Sequence, residues 1–344
     1  MRGPSIDIGT AAKVAFLKDP SNYSRPTRQV RAIETHMAWV FLTERYAFKM
    51  KKPIRLGRLD TRTLDDRERA SRSEVELNRR LAPGVYLGRC AVRRGREGGL
   101  VLDEALEKQG SVVEWLVKMR RLPAEKMLDS RLRRPPDRHL RDQLRRLGEV
   151  LAAFYAGARR LAVPPETYRQ RLRDIIDTAE EALRAAPPVV QQRRVRTIAD
   201  RLREWVGAEA DLFDARVQGG HVVEGHGDLR PEHVCLEYRP VVIDCLEFSP
   251  VLRAVDPVDE LAFLSMECTR LGAGWAGQLV YQRYVAQTGD APPGRLRAFY
   301  GAFRAFQRAR LAVRHLHVHD ERLPRSVWLR QANQYLGQAA IRLS

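Results

Sequence analysis

Residues 226–248 read HGDLRPEHVCLEYRPVVIDCLEF, with two histidines and five carboxylates beside the apolar runs VCLEY and PVVID. The two runs are typical of short β-strands, and Arg239-Pro240 between them indicates a tight turn. Side chains at the ends of such a hairpin lie on loops with a rigid support, where proteins place binding and catalytic groups. The stretch is therefore predicted to carry the functional chemistry of the chain.

The composition predicts a folded chain that does not span a membrane. Its 344 residues, 44% of them hydrophobic, suffice for two domains or one two-lobed unit. The longest apolar runs, VVEWLV and ELAFLSM, fall far short of the ~18 to 20 residues that cross a bilayer. The opening sequence MRGPSIDIGTAAKVAFLKDP has no secretory signal pattern, so we expect a cytoplasmic protein with no membrane partner. The four cysteines form no CxxC pair and are expected to be reduced and buried.

The formal net charge of +18 raises the question of a nucleic-acid partner, because a basic face is the electrostatic footprint of phosphate binding. The basic residues, however, are nearly all arginines spread over the whole chain. That distribution is typical of a solvated surface, and no zinc-finger, homeodomain or aromatic RNA-binding motif accompanies it. The sequence therefore disfavours a nucleic-acid partner.

The first third of the chain is predicted to form a mainly antiparallel sheet with one helix. VRAIETHMAWVFL and YAFKMKKPIRL, on either side of the polar turn TER, are typical of a hairpin, and VYLGRCAV, GGLVLDEA and SVVEWLVKM predict further strands. In ERASRSEVELNRRLA, Val75, Leu77 and Leu81 form a helical apolar stripe that Pro83-Gly84 is expected to end.

From about Leu122 onwards the pattern changes to long helices. These include HLRDQLRRLGEVLAAFYAGAR, an arginine-rich pair between Pro165 and Phe213, and three or four more after Val258. We therefore predict an α+β fold, with a smaller antiparallel-sheet lobe and a larger, mainly helical lobe. The N-lobe is predicted to comprise residues 1–122 and the C-lobe residues 123–344, with a helical insert at about 165–217 in the C-lobe.

His226, Asp228 and His233 have the spacing of the catalytic loop of protein kinases. In that loop a histidine precedes the catalytic aspartate by two residues, a metal-binding residue follows five positions later, and a second metal-binding aspartate comes after a short hairpin. Asp244 after VVI takes that last position. In this template Asp228 would accept the proton of an attacking hydroxyl, and Asp244 would hold Mg²⁺.

With these motifs the chain resembles the aminoglycoside phosphotransferases and related small-molecule kinases of the protein-kinase-like fold. IETHMAWVFL, ELAFLSMEC and HGDLRPEH together are similar to a bacterial branch of that family. The resemblance implies a bilobal fold and a transfer of the γ-phosphate of ATP, with Mg²⁺ or Mn²⁺, to a hydroxyl of a small metabolite such as a sugar or an aminoglycoside-like compound. It also implies that His226 packs beneath the catalytic loop and orients it.

The resemblance implies further nucleotide-binding residues in the N-lobe. Lys49 would bind the phosphates and Glu74 would hold that lysine. Lys51 and Lys52 compete for the first role, and Glu76 is the fallback for the second. The segment SVVEWLVKMRRLP matches the hinge of the family, and its Met119 would line the adenine pocket.

The chain also departs from the family pattern. His233 stands where an asparagine is usual, which puts binding of a second metal ion in question because imidazole is a softer ligand. ETHMA replaces the glycine-rich loop, so that Thr35 or nearby backbone N–H groups would cover the phosphates. Tyr155 replaces a histidine and is interpreted as a packing substitution, while Asp259 is expected to cap or anchor a helix. Arg230 and Glu232 are expected to line the loop without an essential role.

A different class of function stays open at this point. A kinase fold without catalysis could bind nucleotide as a regulator, or serve as a nucleic-acid-associated scaffold. His233 and the missing glycine-rich loop favour this alternative. The presence of Lys49, Glu74, Asp228 and Asp244 opposes it.

Overall fold

The computed structural model describes residues 8–56, 59–95, 97–187, 190–316 and 324–344. The strands are β1 (Arg31–Glu34), β2 (Ala38–Leu42), β3 (Tyr46–Lys51), β4 (Arg55–Leu56), β5 (Leu59–Asp60), β6 (Tyr86–Arg94), β7 (Leu100–Asp103), β8 (Ser111–Arg120), β9 (Val223–Glu224), β10 (Val234–Cys235), β11 (Val241–Val242) and β12 (Ala254–Val255). The helices are α1 (Thr10–Lys18), α2 (Leu64–Asn78), α3 (Leu128–Leu132), α4 (Arg138–Gly157), α5 (Pro165–Arg184), α6 (Gln192–Ala208), α7 (Ala210–Gln218), α8 (Pro250–Arg253), α9 (Pro257–Arg270), α10 (Gly274–Thr288), α11 (Gly294–Arg314) and α12 (Arg325–Leu343). Within these ranges no helix combines the length and apolarity that a membrane crossing requires.

The chain divides into two compact units. The first comprises the residues up to Ala124 together with Val241–Pro250, and the second comprises Glu125–Pro240 and Val251–Ser344. The lobe boundary near residue 122 stays a prediction. The first unit takes its last segment from the stretch quoted at the start of the sequence analysis.

The first unit contains an antiparallel six-stranded sheet in the order β1-β2-β3-β8-β6-β7. VRAIETHMAWVFL, predicted as one strand of a hairpin, contains both β1 and β2. Thr35 closes the turn between them: its N–H donates to the carbonyl of Ala38 at 2.8 Å, and its hydroxyl accepts from the N–H of Ala38 at 2.9 Å. The antiparallel character of the sheet agrees with the sequence pattern.

The helix α2 begins and ends with local signals. Thr63 and Asp66 form a capping box at its start, in which each side chain satisfies an orphan backbone N–H group of the first turn. The helix ends at Asn78, ahead of the predicted stop at Pro83-Gly84. The intervening residues form turns instead, so that prediction placed the end too late.

The side chains of β3 alternate between two environments. Phe48 and Met50 lie in an apolar core with Val14 and Leu17 of α1, a helix that the sequence patterns did not predict. Lys49 lies between them in the strand and therefore projects from the opposite face. The strand thus separates the apolar core of the unit from its charged groups.

The second unit is mainly helical, as predicted, with a large apolar core that includes α5, α6, α9, α11 and α12. The aromatic side chains of the predicted insert belong to this core: the rings of Trp205 and Phe299 stack at 4.5 Å, and Tyr168 lies buried near Phe213. The insert corresponds to α5, α6 and α7, and its residues 188 and 189 lie outside the described ranges. All four cysteines are buried and free, as expected from the burial preference of cysteine and the absence of a CxxC pair.

Candidate active site

Glu74 of α2 binds two lysines of β3. Its Oε1 lies 2.8 Å from Nζ of Lys49, and its Oε2 lies 2.6 Å from Nζ of Lys51. Glu74 is fully buried, whereas Glu76 on the same helix is exposed. The choice of Glu74 over Glu76 therefore has a structural basis. Both lysines contact the same carboxylate, so the choice of Lys49 over Lys51 for the phosphates stays a prediction.

The segment Val241–Pro250 adds two more carboxylates to this cluster. Asp244 Oδ1 lies 2.6 Å from Nζ of Lys49, and Glu247 forms an ion pair with Lys51. Three carboxylates thus face two ammonium groups in the first unit. The side chain of Asp244 is 46% exposed, against 0% for Glu74, so Asp244 is the member of the cluster that solvent and ligands can reach.

Asp244 is held in an unusual backbone conformation. Its φ is 64°, in the left-handed region that side chains other than glycine seldom adopt. Its N–H donates to the hydroxyl of Tyr86 at 3.1 Å, and the N–H of Cys245 donates to Asn78 Oδ1 at 2.9 Å. The strands and α2 therefore fix a conformation that costs energy by itself, as is common at functional sites.

The charged groups of this cluster keep each other ionised. Burial would lower the pKa of Lys49, but Asp244, Glu74 and Glu247 raise it well above its usual value. Burial would raise the pKa of Glu74, but Lys49 and Lys51 outweigh this effect and hold it below its usual value. The lysines are therefore charged and Glu74 is ionised at neutral pH.

Glu260 of α9 binds the backbone of the loop at His226 and the residue that follows it. The carboxylate of Glu260 accepts from the N–H of His226 at 3.0 Å and from the N–H of Gly227. His226 is fully buried, and its Nδ1 accepts from the N–H of Asp228 at 3.2 Å. A Cβ at Gly225 would lie 2.6 Å from the same carboxylate, so only glycine fits there. These contacts agree with the orienting role that the resemblance implies for His226, and that role stays a prediction.

Tyr155 has a more specific role than the packing substitution inferred from the sequence. Its hydroxyl donates to Glu260 Oε2 at 2.9 Å. Burial and the neighbouring Glu260 raise the pKa of Tyr155 well above its usual value, so it remains a donor. Sequence reasoning missed Glu260, because its only signal was a position on an apolar helix directly after the noted Asp259.

Asp259 is an anchor and not the helix cap. Arg304 donates to both of its carboxylate oxygens, at 2.7 and 2.6 Å. The cap of α9 is Asp256, whose side chain accepts from the N–H of Val258 at 2.9 Å. The anchoring half of the expectation is confirmed and the capping half is wrong, since Asp259 lies inside the first turn.

Asp228 is ionised and lies beside a guanidinium. Nε of Arg230 donates to Asp228 Oδ2 at 3.0 Å. Burial would raise the pKa of Asp228, but Arg230, His233 and Arg308 outweigh it and hold the pKa at about 2. The carboxylate is therefore unprotonated at neutral pH, as an acceptor of a hydroxyl proton has to be.

The predicted metal ligands differ in their suitability. Asp244 offers a partly exposed carboxylate oxygen, and Mg²⁺ is commonly held by one or two carboxylates together with substrate phosphates. His233 Nε2 lies 3.0 Å from Nη2 of Arg230, and its Nδ1 lies 2.9 Å from the carbonyl oxygen of Asp228. Among the described residues no group of three or more His, Cys, Asp or Glu side chains is close enough to hold a metal ion. The donor set thus fits one ion at Asp244 better than an ion at His233.

Thr35 and Met119 both belong to the first unit, which also contains Lys49. The hydroxyl of Thr35 is hydrogen-bonded within the β1–β2 turn. Contact with phosphates at this turn would therefore fall to its backbone groups. Met119 is buried in β8, opposite Ala47 and Tyr86 in the neighbouring strands. Their roles in nucleotide binding stay predictions.

Two features of the site are typical of a phosphotransferase of the protein-kinase-like fold. One is a sheet lysine that contacts a helix glutamate and an aspartate. The other is a loop that a histidine anchors and that carries an ionised aspartate. A sequence profile of the phosphotransferase enzyme family (APH) matches residues 100–299. The chain belongs to this family.

Comparison with known proteins extends this result. Uncharacterised proteins of Mycobacterium tuberculosis and Mycobacterium bovis are 32% identical over 336 residues, covering 90% of this chain and 60% of theirs. The chain therefore spans about 60% of the length of these curated relatives. The structure of APH(2'')-IIIa with GDP and kanamycin matches with a TM-score of 0.53 at 15% identity, covering 96% of this chain and 98% of that one. A choline/ethanolamine kinase family protein from Mesorhizobium loti matches with a TM-score of 0.52 at 14% identity and the same coverage. These likenesses establish the fold.

Proposed function

We propose that the protein transfers the γ-phosphate of ATP to a hydroxyl group of a small metabolite, with Mg²⁺ or Mn²⁺ as the ion. The observation that carries the proposal is the contact of Lys49 with both Glu74 and Asp244, at 2.8 and 2.6 Å. It brings a fixed ammonium group, suited to phosphate oxygens, beside a reachable carboxylate, suited to a divalent ion. Nucleotide complexes of neighbours with this fold support a nucleotide as the donor.

The nucleotide would bind in the first unit. Lys49 would contact the phosphates, and Glu74 would hold its ammonium group in place. Asp244 would hold the ion, which when bound supplies positive charge to the phosphate oxygens. Asp244 suits this role because its side chain is the most exposed of the three carboxylates, at 46% against 0% for Glu74 and 9% for Glu247.

The transfer would use Asp228 in the second unit. The acceptor oxygen forms a bond to the γ-phosphorus, the bond from that phosphorus to the bridging oxygen breaks, and ADP leaves with the bond electrons. The hydroxyl proton passes to the Asp228 carboxylate, which then releases it to solvent. A pKa of about 2 keeps that carboxylate ready as an acceptor at neutral pH, although so low a value makes its help that of an orienting partner more than of a strong base.

The charges near Asp228 favour a neutral or anionic acceptor over a polycation. The guanidinium groups of Arg230 and Arg308 act on this carboxylate as nearby positive charges. A polyamine or aminoglycoside would be repelled by these groups, since electrostatic complementarity governs the choice of partner. A sugar, or a sugar carrying an acidic group, therefore suits the site better.

One observation favours a second candidate function, a regulator that binds nucleotide but does not transfer phosphate. Arg230 is hydrogen-bonded to both Asp228 and His233. With both side chains engaged in this way, the protein could bind nucleotide without transferring its phosphate. The two functions differ in one result, the appearance of a phosphorylated acceptor.

Thermal unfolding with ATP and Mg²⁺ or Mn²⁺ tests the nucleotide site first. A ligand at 100 times its dissociation constant adds about 2.7 kcal/mol of stability, and we expect a metal-dependent shift that is lost in Asp244→Ala. Asp65→Ala, an exposed aspartate of the same unit, should retain the shift. No shift with either metal, or an equal shift in Asp244→Ala, would refute the proposed site.

A radiolabelled transfer assay then separates enzyme from regulator. The acceptors would be neutral sugars, sugar phosphates, sugar acids and kanamycin, each with γ-labelled ATP. Label in a sugar-type acceptor supports the proposal, and label in kanamycin alone would contradict the inferred acceptor class. Nucleotide binding without label in any acceptor would favour the regulator.

A further inference from the structure

Arg230 joins the two side chains of the catalytic loop to which the family pattern assigns separate tasks. Its Nε donates to Asp228 Oδ2 at 3.0 Å, and its Nη2 lies 3.0 Å from His233 Nε2. The side chains of Arg230 and His233 are only 18% and 9% exposed. The guanidinium is therefore an enclosed part of the loop, not a surface charge that happens to lie nearby.

The hydrogen bonds define the state of His233. A guanidinium can only donate and a carbonyl oxygen can only accept. Nε2 must therefore accept from Arg230, and Nδ1 must carry the hydrogen that it donates to the carbonyl oxygen of Asp228 at 2.9 Å. The one lone pair with which this imidazole could bind a metal is directed at Arg230.

We propose that Arg230 supplies, beside Asp228 and His233, the positive charge that a second metal ion would otherwise supply, so that the enzyme works with one ion, held at Asp244. The inference rests on the proposed phosphotransferase function and deepens it. Phosphoryl transfer spreads negative charge over the oxygens of the transferred group, and a fixed cation stabilises that charge. A guanidinium is suited to this task because its planar fork can bind two phosphate oxygens at once.

In this arrangement His233 is a positioning residue for Arg230. Its Nδ1–H is fixed to the loop backbone, and its Nε2 holds one end of the guanidinium. The carboxylate of Glu232 also lies near this guanidinium, 3.9 Å from Arg230, and it contacts Arg270 at 3.1 Å. The imidazole thus has a use in the loop other than binding a metal, and Arg230, given no essential role by the sequence, becomes a central residue.

Counting bound Mn²⁺ tests the proposal without reliance on activity. Electron paramagnetic resonance measures free Mn²⁺ during titration of the protein with saturating β,γ-imido-ATP. We expect one protein-dependent Mn²⁺ per chain in the wild type and none in Asp244→Ala. In Arg230→Ala we expect two, because the lone pair of His233 and an oxygen of Asp228 become available. Arg239→Ala, an exposed arginine of the same stretch, should bind one.

The alternative outcomes are distinct. Two ions in the wild type, with one lost in His233→Ala, would identify His233 as a metal ligand and overturn the proposal. One ion in both the wild type and Arg230→Ala would overturn the substitution of a guanidinium for a metal. Arg230→Gln, which has a longer polar side chain, should give the same second ion if Arg230→Ala folds poorly, as judged by circular dichroism. Failure of the wild type to bind the nucleotide analogue at all would instead refute the proposed function, and this inference with it.

Discussion

The two charged regions of the molecule differ in the charge of the groups that surround their central side chains. In the first unit, the carboxylates of Glu74, Asp244 and Glu247 surround the ammonium groups of two lysines. In the second unit, the groups that set the pKa of Asp228 beyond its burial are cationic or histidine side chains. A carboxylate within reach of solvent suits a metal ion, and a guanidinium suits an anionic group in reaction. Under the proposed function, the carboxylates of the first unit would attract the metal, and the guanidinium of Arg230 would stabilise the transferred group.

The largest expected effect follows from removal of the charge of Asp228. In Asp228→Asn the amide cannot take a proton, so we expect the turnover number to fall by about 10² to 10⁴-fold. Nucleotide binding should change little, because Lys49 and Asp244, the proposed contacts of the bound nucleotide and its ion, lie in the first unit. Steady-state transfer assays and calorimetric nucleotide titrations measure the two quantities.

A matched aspartate controls for the loss of a charge alone. Asp142 of α4 forms a partly exposed pair with Arg145, and Asp142→Asn should leave both quantities unchanged. Turnover in Asp228→Asn within a factor of a few of the wild type would contradict the role given to Asp228.

The second effect concerns stability in the first unit. Glu74→Gln retains the shape of the side chain but leaves Lys49 and Lys51 without their shared buried partner. Lys49 keeps Asp244 and Lys51 keeps Glu247, so we expect the loss of these buried hydrogen bonds to cost about 1 to 3 kcal/mol, whereas the exposed Glu76→Gln should cost less than about 0.5 kcal/mol. Urea unfolding of both variants measures the difference. Equal stability of the two would show that the Glu74 cluster does not hold the unit together.

The contrast between Glu74 and Glu76 also shows which parts of the site can be predicted from the sequence. Period-2 alternation placed Lys49 and Lys51 on one face of a strand, and the loop motif placed His226 and Asp228 together. Both features depend on local chain geometry, which sequence patterns describe well. Glu260 and Arg304 could not be found in this way, because their partners are distant in the sequence and are brought close only by helix packing. The role of Arg230 was also hidden, since it depends on which nitrogen of His233 is protonated.

The third effect is a dependence of stability on pH. Asp228 has a pKa of about 2 in the folded chain, against a usual 3.8, so its ionised form favours folding. This contribution, about 2 kcal/mol, is complete above pH 3.8 and is lost as the pH falls toward 2. We expect the free energy of unfolding to fall by about 1 kcal/mol more between pH 6 and pH 3 in the wild type than in Asp228→Asn. The same fall in both proteins, in urea titrations at each pH, would mean that the Arg230 contact does not stabilise the folded chain.

The smallest effect lies beneath the catalytic loop. Tyr155→Phe removes one donor to the buried Glu260, which retains the N–H groups of His226 and Gly227. Loss of one such bond costs about 1 to 3 kcal/mol when the remaining partner stays buried, and we expect the low end because the other donors remain. Tyr238→Phe, at a side chain that is 86% exposed, should have no measurable effect on the midpoint of thermal unfolding. If Tyr155→Phe also lowers turnover, the support of the loop by α9 contributes to the position of Asp228. If stability and turnover both stay unchanged, Tyr155 is the packing substitution that its sequence first suggested, and the two backbone N–H groups alone hold Glu260 in place.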